Sequence, residues 1–107
     1  MKTYRVSAGS NSGTVFESDG KTRPLDPRFD LRNHSPDGFA WGYSGSGPAQ
    51  LALAIPADAI DDMSAVRLYQ DFKFKFVSRQ AIDRDFECTD DFAIERAKAF
   101  EAEAGPR

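Results

Sequence analysis

The chain has 107 residues, 14 of them Lys or Arg and 17 Asp or Glu, for a net charge of −3 with its one histidine, His34, neutral. That length makes one domain, 1–107, the expectation, and nine Phe within a 40% hydrophobic composition exclude whole-chain disorder. No apolar run approaches the ~18 residues of a membrane span, no signal-peptide pattern opens the chain, and the single Cys88 excludes an internal disulfide or a Cys-paired zinc site, so a cytoplasmic protein without membrane association is expected.

Thr3 to Ala8 places Tyr4, Val6 and Ala8 on one face, which is a strand pattern. Gly9 to Gly13 has turn composition, and Thr14 to Glu17 reads as a return strand. Asp19-Gly20 is a second turn signal. Pro24 and Pro27 confine Thr22 to Leu31 to an edge strand or an extended loop, because proline cannot donate to a ladder. His34 to Gly38 is a loop. Phe39, Trp41 and Tyr43 alternate with Ala40 and Gly42, as a short strand would.

Ser44-Gly45-Ser46-Gly47 leads to Pro48, which suits the first turn of a helix. That helix should run through Ala49 to about Ile55, capped by Ser46 or Gly47 and broken near Ala54 or Ile55 by Pro56. Gln50 is its only polar residue, so the helix should be buried nearly all round, with the Gln50 amide hydrogen-bonded. Asp61-Asp62 opens a second helix, whose stripe is Ala65, Leu68, Tyr69, Phe72 and Phe76. Asp71 to Phe76 also alternates as a strand does. The longer stripe favours helix, pairs Asp71 with Lys75 and leaves Phe74 exposed. Ile82 to Cys88 suggests a strand, Thr89 an N-cap, and Phe92 to Phe100 a last helix, with Gly105 to Arg107 fraying. Strands first and helices later argue for an α+β fold: a small N-terminal antiparallel sheet packed against about three C-terminal helices.

The residues point away from catalysis. Gly9 to Thr14 lacks the Gly-Lys-Ser/Thr ending of a phosphate loop, and Gly42-Tyr43-Ser44-Gly45-Ser46 has serine at the last place, where a nucleophile elbow needs glycine. His34 with Ser35, Ser44 or Ser46 is the only imaginable base and nucleophile set. No metal-ligand spacing is present, and no cofactor is expected. Lys73, Lys75, Arg79 and Arg84 form a basic stretch, but a solvated helix face explains them, and nucleic acid is not expected as a partner.

The stretch from His34 to Ile55 resembles a family of short uncharacterised proteins from bacteria, haloarchaea and phages, with the pattern H-S-P-x-G-F-x-W-G-Y-x-G-S-G-P-A-Q-L-A-L-A. Tyr69, Phe72 and Lys73 match its later Tyr-x-x-Phe-Lys step, and Phe86 to Thr89 is similar to its final aromatic step; Pro56 departs from a leucine-like position. The family brings no established activity. The resemblance implies a small domain built around this segment and carried by mobile elements, with roles in phage–host conflict such as inhibition of a bacterial defence complex.

Two functions follow as expectations. The first is a non-enzymatic protein that binds a protein partner, with Trp41, Tyr43 and Phe74 as candidate anchors where exposed and His34 as a further candidate contact. The second is a nucleotide or anion binder that uses the helix N-terminus at Ser44, Gly45, Ser46 and Gly47, with Gln50 reading a polar ligand edge.

Overall fold

The computed structural model describes residues 2–6, 15–18, 21–34, 39–80 and 84–104. Four strands form one antiparallel sheet: β1 (Thr3–Val6), β2 (Val15–Ser18), β3 (Thr22–Pro24) and β4 (Phe86–Thr89), in the order β3-β2-β1-β4. Among the described residues there are also three helices, α1 (Ser46–Ala59), α2 (Asp62–Lys75) and α3 (Asp90–Ala104), with a 3₁₀ turn over Val77–Arg79. The α+β expectation holds.

The alternation in β1 decides its two faces. Tyr4 and Val6 are buried, whereas Arg5 is exposed and bonds Glu87, its cross-strand partner in β4. Tyr4 stands opposite Cys88 and Val6 opposite Phe86, which turns β4 toward the same core. β3 is the far edge, with Pro24 opposite Phe16, a place where a missing N–H costs no ladder bond. The turns expected at Gly9 to Gly13 and at Asp19-Gly20, the Ser35 to Gly38 part of the loop, Ile82 and the C-terminal residues Gly105 to Arg107 lie outside the described residues.

α1 is the centre of the molecule. Every residue from Gly47 to Ala57 is buried. Leu51, Ala52, Ala54 and Ile55 meet Tyr4, Val6, Trp41, Leu68, Phe72 and Ala93 in the main core. Leu53 and Ala57 meet Ala65 in a second cluster, covered by Leu31, Val66 and Tyr69. The phenylalanines close the other end: Phe72, Phe76, Phe86 and Phe92 form a chain of tilted and edge contacts, with Trp41 edge-on to Phe86 at 5.9 Å.

Two expectations are corrected. α1 does not stop near Ile55; it continues through Pro56 to Ala59, and the Ile60 N–H closes on the Pro56 carbonyl at 2.8 Å. An internal proline costs about 3 kcal/mol, but Ala54 to Ala57 are buried against neighbours on several sides, and that packing outweighs the local preference. The stretch Phe39 to Tyr43 is not a strand. Gly42 takes φ 85°, which ends extended geometry, and its N–H donates to the Val77 carbonyl at 3.0 Å rather than to a sheet. The rival strand reading of Asp71 to Phe76 is settled for helix, with Asp71 and Lys75 paired at 3.1 Å. Asp61 caps α2 through the Ser64 N–H, and Thr89 caps α3 through the Phe92 N–H.

Candidate functional site

Gln50 sits about one turn into α1 with no exposed surface. Its Nε2 donates to the Pro27 carbonyl at 2.6 Å and to the Arg32 carbonyl at 3.0 Å, while its Oε1 accepts from the His34 N–H at 2.8 Å. Both amide hydrogens are therefore spent on one loop, residues 27–34. The buried amide is satisfied, as burial requires, and it points to protein backbone rather than to solvent.

The same loop is tied down at its start. Arg28 has φ 57°, a left-handed geometry that costs an L residue about 1–2 kcal/mol. Its N–H donates to Asp26 Oδ1 at 2.9 Å, and its carbonyl accepts from the Leu31 N–H at 3.0 Å. Its guanidinium forks onto both oxygens of Asp30 at 3.0 Å and both oxygens of Asp62 at 2.9 and 3.0 Å. Hydrogen bonds to the two carboxylates raise the Arg28 pKa further above its ordinary range, and the hydrogen bond from Arg28 holds Asp30 below the usual carboxylate range. Asp61, next along, is also lowered, because the Ser64 N–H bonds its ionised form.

The loop thus follows one side of α2: Arg28 meets Asp62, Leu31 packs with Val66, and His34 Nε2 lies 3.0 Å from the Tyr69 hydroxyl, with the two rings 5.3 Å apart. Beside it lies an open groove of about 280 Å³ lined by Leu31, Asp62, Met63, Val66 and Arg67, whose exposed interior surface is apolar. Phe29, between the two anchored points Arg28 and Leu31, is 39% exposed.

Of the residues singled out from sequence, the structure brings His34 and Gln50 together, joined by Tyr69. The others lie outside that cluster: Trp41, Tyr43, Ser44 and Gly45 lead into α1, Ser46 and Gly47 open it, and Phe74 lies in the last turn of α2. Trp41 is buried against Phe86, and its indole N–H has no hydrogen-bond partner among the described residues. Tyr43 is 47% exposed. Gly45, not Ser46 or Gly47, is the N-cap of α1; its backbone is extended, and a Cβ there would lie 2.7 Å from the Tyr43 ring. Ser44 and Ser46 are exposed, and the His34 ring meets the Tyr69 hydroxyl rather than either serine. Gly47 is buried so close to Ala40 that a Cβ would lie 2.5 Å from the Ala40 Cβ. Phe74 is 53% exposed, with the Lys73 ammonium 4.5 Å from its ring centre.

Cys88 is buried, and burial pushes its thiol up to about 12, which leaves it unreactive. Among the described residues no group of three or more His, Cys, Asp or Glu could hold a metal ion, and no helix is long and apolar enough to cross a membrane. Sequence reasoning missed Arg28, Phe29, Leu31, Met63, Val66 and Tyr69 as parts of a site. One signal was present for Met63: it falls opposite the Ala65, Leu68 and Phe72 stripe on a helical wheel.

Residues 4–99 match a family described as a family of unknown function, DUF6166. The chain belongs to the DUF6166 family. No curated protein and no solved structure matches it. The DUF6166 match spans both the Gln50-held loop and the Tyr43 to Gly47 turn.

Proposed function

We propose that this chain is a small, non-enzymatic binding protein that acts by contact with a protein partner, through the exposed Phe29 and the apolar groove that Leu31 of the same loop lines. The observation that carries the reading is the loop of residues 27–34. A fully buried glutamine spends its amide on that loop, and an arginine in left-handed geometry is forked onto two carboxylates within and beside it. Such bonding holds the backbone of the loop that carries Phe29 in place before a partner arrives, which lowers the ordering cost of association. An exposed aromatic on a loop that borders an apolar groove also suits a contact in an interface. The mobile-element setting implied by the resemblance makes a cytoplasmic bacterial defence complex the class of partner to test first.

The test is capture from host lysates with the full chain as bait, alongside Phe29→Ser and Tyr43→Ser baits. A specific protein retained by the wild type and by Tyr43→Ser, and lost with Phe29→Ser, supports the reading. Recovery of no specific protein across several hosts counts against it.

A further inference from the structure

Two depressions adjoin at the start of α2. The apolar groove lined by Leu31, Val66 and Met63 shares Asp62, Met63 and Arg67 with a second depression of about 620 Å³, whose other walls are Asp61 and Ser64. Met63, common to both, is 78% exposed. The first depression offers apolar surface alone, and the second is partly polar.

The rim is acidic. Asp61 and Asp62 line it, and Arg28 ties two more carboxylates to Asp62: its N–H meets Asp26, and its guanidinium meets Asp30 and Asp62 together. All four aspartates are exposed. They share the single guanidinium of Arg28, which offsets one charge. Arg32 of the same loop, bonded to the Leu31 carbonyl, offsets one more. Arg67 lines both depressions but is paired with Glu101 at 2.9 Å, so it adds no net charge. A negative surplus therefore remains. Asp61 has no ion pair among the described residues; one of its oxygens holds the Ser64 N–H. Asp30 and Asp61 are both held below the usual carboxylate range, so both stay ionised at neutral pH.

We propose that the partner segment entering this groove is basic: an apolar side chain seated between Leu31, Val66 and Met63, beside a Lys or Arg that lies in the second depression against Asp61 and Asp62. This deepens the proposed function and rests on it. The depressions share three walls, so one short segment reaches both. The long apolar stem of Lys or Arg packs on Met63 while its charged head meets the carboxylates. An acidic segment meets like charge here, so the rim selects against it as well as for a basic one.

The probes are fluorescein-labelled peptides with a central Leu, Phe or Met, flanked by Lys and Arg, by Asp and Glu, or by Ser. Each is titrated with the full chain and read by fluorescence polarisation. The Lys and Arg set should bind, and the other two sets should not. Met63→Ser, an exposed substitution, should weaken that binding at least tenfold, about the loss of a strong interface contact, without lowering Tm. Asp26→Asn combined with Asp61→Asn keeps both acceptor oxygens and removes two charges; it should weaken binding about tenfold. Affinity should also fall between about 0.05 and about 0.5 M NaCl. Equal binding of basic and acidic peptides, binding of none, or basic peptides held as tightly by Met63→Ser as by wild type would overturn the proposal. So would a wild-type chain that fills the groove with a second copy, its mass falling back to 11.8 kDa in Met63→Ser. The two readings fail separately. A captured protein lost with Phe29→Ser but indifferent to Asp61→Asn and to salt keeps the proposed function and overturns the basic segment.

Discussion

Replacing Gln50 by leucine keeps the volume of the side chain and removes its three bonds to the loop. The Pro27 carbonyl and the His34 N–H are half-buried, and the Arg32 carbonyl belongs to an exposed residue. A buried polar group left unpaired costs ~1–3 kcal/mol; the more exposed Arg32 carbonyl recovers water and falls at the low end. The three losses come to about 3 kcal/mol, and leucine returns about 1 kcal/mol through its added apolar burial. A net loss of about 2 kcal/mol should lower Tm by roughly 10 °C in a chain of this length. The assay is a thermal melt followed by circular dichroism, read beside amide hydrogen exchange at His34, Leu31 and Arg28. The His34 amide should exchange much faster in Gln50→Leu, while the amides of α1 and α2 keep their protection. A Tm within about 2 °C of wild type, with the His34 amide still protected, would refute the clamp.

Two further predictions follow from local geometry. Gly47→Ala should destabilise the chain by about 1–3 kcal/mol, because its Cβ would be forced onto the Ala40 Cβ and backbone. Gly45→Ala, which meets only the ring edge of the exposed Tyr43, should lower the thermal midpoint less, and the two melts compared side by side check this. Acid should also weaken the chain: Asp30 and Asp61 are both depressed in the folded state, so their contribution is complete above the ordinary carboxylate pKa of about 3.9 and is lost as pH falls through their lower folded values. Asp61→Asn, which can still cap α2 but cannot titrate, should therefore lose less stability than wild type between pH 5 and pH 3.

Much of the fold is legible in the chain because it is decided locally. Tyr4 and Val6 alternate with Arg5, and the Ala65 to Phe76 stripe outlasts the rival alternation of Asp71 to Phe76. Thr89 and Asp61 cap the helices they precede. Pro56 misleads because burial on several sides overrides its local cost. Phe39 to Tyr43 misleads because alternation alone does not show that Gly42 bends at φ 85° toward Val77. β4 reads as a strand, but its place beside β1 depends on pairing some 80 positions apart. The site was half legible. One glutamine in an apolar helix announces a buried amide that must find partners, yet its partners are backbone groups of a loop 16 to 23 residues earlier, which no side-chain pattern marks. The exposure of Phe29 likewise depends on that loop being pinned by Leu31 and Arg28.

The most direct test of the central claim is the dissociation constant for the captured partner, measured for wild type, Phe29→Ala and Tyr43→Ala. The account predicts at least a tenfold weakening for Phe29→Ala, about 1.4 kcal/mol, with Tm unchanged and with Tyr43→Ala close to wild type. Equal affinity of Phe29→Ala and wild type would contradict it.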